Sequence, residues 1–172
     1  GGGEGGGGGR RAWGVVNGEA RYGAARDPWV WRDRVGVLDR GGGFAGGHGR
    51  GGGELGRTWY EAGKMAKKQT TFDDFIACAE ALVARGYTAP DRLAIEGGRA
   101  GCLLMGAVVN IRPELFKAVL AEVPFVDVIN TMLDETLPLT TGEFIEWGNP
   151  KIPEQYAWMR AYSPYDNLKR GA

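Results

Sequence analysis

The sequence predicts an α/β protein, built from a mostly parallel sheet flanked by helices, with a disordered glycine-rich N-terminus. The sheet is predicted from the order strand, glycine-rich turn, helix and strand between residues 91 and 123, because this order is the βαβ unit of a parallel sheet. The N-terminus is predicted from the distribution of glycine, since 21 of the 31 glycines lie in residues 1–53. Glycine buries little apolar surface and loses much conformational freedom on folding. We therefore expect residues 1–18 to be a low-complexity, disordered segment.

The spacing of apolar residues places the other elements. Thr71 and the acids that follow it can cap a helix over roughly 72–85, where apolar residues recur at helical spacing, and Gly86 follows its end. The elements after it are a strand at 91–96, a buried helix at 102–110, a buried strand at 117–123, and short helices near 129–134 and 153–161. The last two lie in a tail rich in proline, aromatic residues and acids. Excursions of this kind often carry substrate contacts in α/β enzymes.

Overall composition argues against several classes of protein. The formal net charge is zero, which disfavours binding to nucleic acid or to a membrane surface through charge. Cys78 and Cys102 give no disulfide framework and are compatible with a reducing compartment. No apolar run has the length of a membrane span or a signal segment. We expect a cytoplasmic protein that needs neither a metal nor an organic cofactor.

The turn that follows the strand at 91–96 has the glycine pattern of a nucleophile elbow. Gly97 and Gly101 match the outer positions of the α/β-hydrolase motif G-x-S-x-G, in which a serine stands at the centre of a sharp strand-to-helix turn. Here the central residue is Arg99, whose side chain stays protonated and cannot act as a nucleophile. The elbow also strains its central residue by about 1–3 kcal/mol. The sequence therefore predicts a hydrolase-like turn without its catalytic atom.

Unusual blocks of sequence surround this turn. They include residues 50–64 (RGGGELGRTWYEAGK), 71–74 (TFDD), 112–116 (RPELF), 123–128 (VPFVDV), 131–135 (TMLDE), 138–143 (PLTTGE), 146–150 (EWGNP) and 162–167 (YSPYDN). Over about residues 48–168 they resemble the prolyl oligopeptidase family of serine peptidases, and in particular its oligopeptidase B group. A further match at 27–29 and 38–41 extends the resemblance back to about residue 19. The resemblance implies that residues 19–172 are a partial peptidase catalytic domain of the α/β-hydrolase fold, degraded over 19–49, where glycine replaces aliphatic residues.

The resemblance also assigns catalytic positions. Arg99 takes the place of the family's nucleophilic serine, and the backbone N–H of Ala100 matches one donor of the oxyanion hole. The second donor of the family is a tyrosine, which aligns with Glu19, and Tyr22 follows three residues later. The triad aspartate and histidine of the family would lie beyond residue 172.

The resemblance implies that acidic residues determine which substrate side chain is bound. The family prefers cleavage after Arg or Lys, and a buried cation needs a paired anion. Glu143 matches one carboxylate of the basic-residue pocket, and Asp27 matches an acid of the neighbouring subsite. A further acid of the family is replaced by Ile145, with Glu146 beside it as a substitute. Solvated loop charges are the alternative interpretation of both glutamates.

The resemblance implies a serine-type oligopeptidase that cleaves short peptides after basic residues by acyl transfer. The family's β-propeller domain, which gates access, would lie on the N-terminal side. We therefore predict that this chain is an inactive fragment, from a truncated or imperfectly read coding sequence. The alternative is a non-catalytic α/β-hydrolase-like module with a binding or regulatory role.

Other patterns have ordinary explanations. Cys102 falls in the first turn of a helix at a family glycine position, where a small buried side chain is expected. His48 has no acid-flanked, serine-paired arrangement around it. Residues 51–58 imitate a P-loop, but no apolar strand precedes them. The Arg-Gly-Gly repeats are too few for an RNA-binding segment. An anion site at Arg99, at a helix N-terminus, remains open.

Overall fold

The computed structural model describes residues 12–18, 22–23 and 32–169. Its strands are β1 (Gly14–Gly18), β2 (Gly43–Gly47), β3 (Leu93–Gly98) and β4 (Ala118–Glu122). Its α-helices are α1 (Arg32–Leu38), α2 (Arg57–Glu61), α3 (Gln69–Ala84), α4 (Ala100–Ile111), α5 (Val128–Leu133), α6 (Phe144–Trp147) and α7 (Pro153–Tyr162). Short 3-10 helices occur at Met65–Lys67, Pro90–Arg92, Pro113–Leu115, Thr141–Glu143 and Tyr165–Asn167. This order of strands and helices confirms the predicted α/β class.

Neighbouring strands of the sheet all run parallel, in the order β2-β1-β3-β4. Val16 of β1 pairs with Ala45 of β2 and with Ile95 of β3, and Ile95 pairs in turn with Val119 of β4. The link from β3 through α4 to β4 is the βαβ unit that the sequence predicts. Because the strands are parallel, their carboxyl ends meet at one edge of the sheet, which is where open α/β sheets bind ligands.

One apolar cluster joins the sheet to α3 and α4. Phe72 and Phe75 of α3 and Leu103 and Leu104 of α4 are buried in this cluster. A Cβ atom at Gly18 would lie 2.5 Å from the ring of Phe75 and 2.7 Å from the side chain of Leu104. Glycine at the end of β1 therefore lets the two helices pack closely on the sheet.

The start of α3 differs from the prediction. α3 begins at Gln69, so Thr71 lies inside its first turn and is not the cap. The Thr71 hydroxyl lies 2.6 Å from the carbonyl oxygen of Arg50 and 3.1 Å from that of Gly63, to which it can donate. The Arg50 guanidinium donates to both carboxylate oxygens of Asp74. These contacts attach the loop at Arg50 to α3, and they join two of the sequence blocks that carry the family resemblance.

Most later elements are confirmed in place, with ends shifted by a few residues, but the predicted burial of β4 is wrong. β4 lies at the edge of the sheet, and its five residues are exposed in the part of the chain that the structure describes. Apolar composition predicts that a strand can be buried. Burial itself requires other elements on its faces, and among the described residues β4 has few.

The N-terminal prediction is corrected by β1. Residues 14–18 belong to the segment expected to be disordered, yet they form a strand between β2 and β3. Pairing on both sides satisfies the backbone N–H and C=O groups of a strand whatever its side chains are. Residues 1–11 lie outside the described residues. No helix in the described ranges combines the length and the apolar character that crossing a bilayer requires.

Candidate active site

The turn between β3 and α4 has the geometry of a nucleophile elbow. β3 ends at Gly98 and α4 begins at Ala100, so the change of direction falls on Arg99. Arg99 has φ 53° and ψ −114°, and a non-glycine residue in so rarely populated a region costs about 1–3 kcal/mol. Its backbone N–H donates to the carbonyl oxygen of Glu122 at 2.8 Å, which attaches the turn to the end of β4. The turn leaves the side chain of its central residue exposed.

Glycines allow the strand and the helix to meet closely at this turn. A Cβ atom at Gly97 would lie 2.5 Å from the carbonyl oxygen of Gly101. Cys102 lies directly below, and its Sγ is 3.1 Å from the carbonyl oxygens of both Gly97 and Glu122. Burial raises the pKa of the Cys102 thiol, so the thiol stays protonated at neutral pH. Cys102 is therefore a buried structural side chain, as its position in the helix predicts.

A cavity of about 760 Å³ opens in front of the turn. Apolar side chains from the segments 123–125 and 137–139 and from α5 make up much of its wall. Arg99 and Glu143 are the charged residues among the described ones that line it, and Ala100 lines it as well. Three of the residues predicted from the resemblance thus meet at one cavity. Among the described residues, no cluster of three His, Cys, Asp or Glu side chains could hold a metal ion.

Glu143 is held by its own helical turn. It ends the 3-10 helix Thr141–Glu143 and precedes α6, and its side chain is half-buried. The indole N–H of Trp147, four residues later, donates to Glu143 Oε2 at 2.8 Å. Residues four apart share one face of a helix, which explains the contact. No other hydrogen bond to the Glu143 carboxylate is found among the described residues.

Glu146 does not substitute for an acid of the cavity. It is fully buried, is not among the residues that line the cavity, and accepts a hydrogen bond from the Tyr60 hydroxyl at 2.9 Å. Lys68, also buried, places Nζ 3.4 Å from Glu146 Oε1. Burial, and then the hydrogen bond to Glu146, raise the pKa of Tyr60 to about 12. Glu146 is thus part of a buried ion pair, and Ile145 beside it is 69% exposed.

Of the other positions considered in the sequence, one lies at the cavity, two lie outside the described residues, and one is exposed elsewhere. Tyr22 lines the cavity with its backbone at φ 51°. Asp27 and Glu19, predicted from the weaker part of the resemblance, lie outside the described residues. His48 is exposed in the loop after β2 and is not among the residues that line the cavity.

Three residues of this region were not predicted from the sequence, namely Trp147, Lys68 and Tyr60. The spacing of four between Glu143 and Trp147 was the one available signal, since it places both on one side of a helical segment. Nothing in the local sequence pairs Lys68 or Tyr60 with Glu146, because the contacts join residues 78 and 86 positions apart.

Comparison with known proteins agrees with this geometry. Residues 29–172 match the prolyl oligopeptidase family. A dipeptidyl aminopeptidase BI from Pseudoxanthomonas mexicana is 54% identical over 151 residues, which are 88% of this chain and 21% of that protein. A protease 2 from Moraxella lacunata is 49% identical over 155 residues, 90% of this chain and 22% of that protein. The chain spans about a fifth of the length of these curated relatives.

Solved structures give the same result. Oligopeptidase B from Leishmania major superposes with a TM-score of 0.89 at 51% identity, over 93% of this chain and 22% of that one. Oligopeptidase B from Trypanosoma brucei, in a closed form with covalently bound antipain, superposes with a TM-score of 0.87 at 48% identity, over 93% of this chain and 23% of that one. With its elbow, its parallel sheet and these matches, the chain belongs to the prolyl oligopeptidase family and has the α/β-hydrolase fold of that family's peptidases.

Proposed function

We propose that the chain is part of an oligopeptidase B-like serine peptidase that cleaves short peptides after Arg or Lys, and that the cavity at the elbow takes the basic side chain. The observation that carries this proposal is the half-buried carboxylate of Glu143 in the largely apolar wall of the cavity that Arg99 also lines. An apolar wall accommodates the methylene stem of Arg or Lys, and a carboxylate with a free oxygen pairs with the cation at its end. A neutral side chain would leave the Glu143 charge without a partner.

The proposed reaction is acyl transfer. In a peptidase with this elbow, the central residue attacks the carbonyl carbon of the peptide, and a histidine takes its proton while N–H or O–H donors hold the oxyanion. The histidine then gives the proton to the leaving amine as the C–N bond breaks, and water releases the acyl group from the enzyme. We propose the backbone N–H of Ala100 as one donor and Tyr22, which lines the same cavity, as the other. Asp27 is proposed for the neighbouring subsite.

This chain itself is proposed to be inactive. A guanidinium at position 99 cannot attack a carbonyl group, and the family's aspartate and histidine are not matched within it. The relatives are about five times as long, so the peptidase activity is proposed for a longer protein that has a serine at position 99 and that supplies the aspartate, the histidine and a propeller domain. A cytoplasmic location is proposed because Cys78 and Cys102 are both free thiols.

A binding measurement tests the proposed pocket without requiring turnover. Nα-acetyl-arginine amide and its uncharged isostere, Nα-acetyl-citrulline amide, are titrated into the chain by calorimetry. We expect the arginine compound to bind more tightly, and Glu143→Gln to lower its affinity by about tenfold or more, as loss of a charge-assisted hydrogen bond does. Glu154→Gln, an exposed carboxylate on α7 outside the cavity, is the matched control. Equal affinities for the two ligands in the wild-type chain would refute the pocket.

A second candidate is a non-catalytic module that binds peptides. The observation that favours it is Arg99 itself, because this residue lines the same cavity as Glu143 and supplies a cation where the family has a nucleophile. Such a cavity would hold, without cutting it, a peptide whose carboxylate pairs with Arg99 and whose basic side chain pairs with Glu143. Because both candidates predict no cleavage by this chain, a change at Arg99 separates them. In a binding module Arg99→Gln should weaken binding of Nα-acetyl-arginine, whose carboxylate pairs with the guanidinium, whereas in an incomplete peptidase the variant should bind it at least as tightly as the wild-type chain.

A further inference from the structure

Trp147 lies behind the wall of the cavity and contacts three of the groups that form it. Its side chain is fully buried. The indole N–H donates to Glu143 Oε2 at 2.8 Å. The ring meets that of Tyr22 edge-on, with centroids 6.0 Å apart, and lies 5.6 Å from the ring of Phe125. Glu143, Tyr22 and Phe125 all line the cavity, whereas Trp147 is not among the lining residues.

We propose that Trp147 is a positioning residue, which sets the preference of the cavity for a basic side chain by orienting the Glu143 carboxylate. The inference rests on the proposed function. A glutamate side chain has several rotamers, and ordering them on binding weakens the interaction with the ligand. The indole N–H holds Oε2, so the carboxylate is already ordered and Oε1 is left to accept from the cation of the ligand. Preorganisation of this kind raises affinity without adding a contact to the ligand.

The indole is in turn fixed from its other side by buried charges. Lys68 places Nζ 4.7 Å from the centroid of the Trp147 ring and 3.4 Å from Glu146 Oε1. Tyr60 donates to the other oxygen of Glu146 at 2.9 Å. Glu146 directly precedes Trp147 in α6, so the ion pair and the cation on the ring face hold the same turn of helix. Because the Trp147 ring is fully buried, it cannot turn its N–H away from Glu143 unless the side chains packed around it move.

The N–H group and the ring of Trp147 can be separated by substitution. Trp147→Phe keeps an aromatic ring in the core and removes the donor to Glu143. We expect the ratio of affinities for Nα-acetyl-arginine amide and Nα-acetyl-citrulline amide to fall about fivefold to tenfold, while the affinity for the citrulline compound is unchanged. If Trp147 had a purely structural role, Trp147→Phe would lower the affinities for both ligands by the same factor. Trp158→Phe, on α7 and outside the cavity, is the matched control.

The outcomes distinguish this inference from the function on which it rests. If the wild-type chain does not prefer arginine to citrulline, the proposed pocket and the role of Trp147 are both wrong. If the preference exists and survives Trp147→Phe, only the role of Trp147 is overturned. Should this variant not fold, the indole N–H resonance of the wild-type chain provides the same test. The arginine compound should shift that resonance and the citrulline compound should not, and an unmoved resonance with bound arginine would overturn the inference.

Discussion

At the scale of single residues, two nearby carboxylates have different surroundings. Glu143 and Glu146 are three positions apart, yet Glu143 lines the cavity and Glu146 is fully buried against Lys68 and Tyr60. A buried carboxylate needs a paired cation and satisfied hydrogen bonds, because removing one partner of such a pair typically costs about 3–5 kcal/mol. Glu146 therefore supports the site from behind, and Glu143 remains available to a ligand.

The half-buried phenol of Tyr60 predicts a pH dependence of stability. Its pKa in the folded chain is about 12, above the value of roughly 10 in an unfolded chain. The folded state therefore holds the proton more tightly, and this contribution to stability is present below about pH 10 and lost as the pH rises towards 12. Tyr60→Phe should flatten the fall in the free energy of unfolding above pH 10, measured by urea unfolding from pH 8 upwards. Burial also raises the pKa of Tyr162. The free energy of unfolding of Tyr60→Phe should therefore still fall somewhat above pH 10.

Tyr165→Phe is the control for this experiment, because Tyr165 is 61% exposed. The prediction is wrong if Tyr60→Phe and Tyr165→Phe show the same dependence on pH as the wild-type chain. At neutral pH, Tyr60→Phe should also lower the free energy of unfolding by about 1.5–3 kcal/mol, since it removes a hydrogen bond to a charged group.

At the scale of elements, the junction of β3 and α4 decides the geometry of the site. Arg99 takes a positive φ, and its N–H is bonded to the end of β4, so the turn is fixed by the strand beside it. A sharp turn of this kind lets the N-terminus of α4 face the cavity. Glycine is needed where the strand and the helix approach most closely, at Gly97, because a Cβ atom there would meet the backbone of Gly101. The glycine pattern of the sequence predicted this junction because the steric requirement is local.

Gly97→Ala tests the close approach. The added Cβ would lie 2.5 Å from a backbone oxygen, which cannot move without displacing the start of α4. We expect the free energy of unfolding to fall by about 1–3 kcal/mol, the usual cost of overpacking, and the thermal midpoint to fall with it. Gly142→Ala is the matched control, since a Cβ there would meet nothing within 4 Å. Equal midpoints for the two variants would contradict the interpretation.

At the scale of the whole molecule, the described sheet has covered inner strands, and its edge at β4 is exposed. β1 and β3 lie inside the sheet and supply buried side chains, whereas β4 forms the edge beyond β3. Val119 and Leu120 of β4 are 42% and 49% exposed. An apolar edge strand with unpaired backbone groups is a template for pairing with another strand. The chain by itself should therefore associate with other copies through β4.

Leu120→Lys should reduce this association. A charge on an edge strand opposes pairing between chains, and an exposed side chain contributes little to the stability of the fold. Sedimentation over a range of protein concentrations should show less of the associated species in Leu120→Lys than in the wild-type chain, with a similar thermal midpoint. Leu168→Lys, at a leucine that is 69% exposed outside the sheet, is the control. Equal association in the two variants would exclude β4 as the contact.

The α/β class, the βαβ unit and the elbow with Arg99 at its centre could be predicted from the sequence, because these follow from local spacing and from glycine at particular positions. The sequence also indicated that Arg99, Ala100 and Glu143 belong to one site. Which side chains are buried became clear from the three-dimensional packing. The structure showed that Gly14–Gly18 pair within the sheet, that β4 is exposed, and that Glu146 is buried with Lys68 and Tyr60. Burial and ion pairing join residues far apart in sequence, and local patterns carry no information about such contacts.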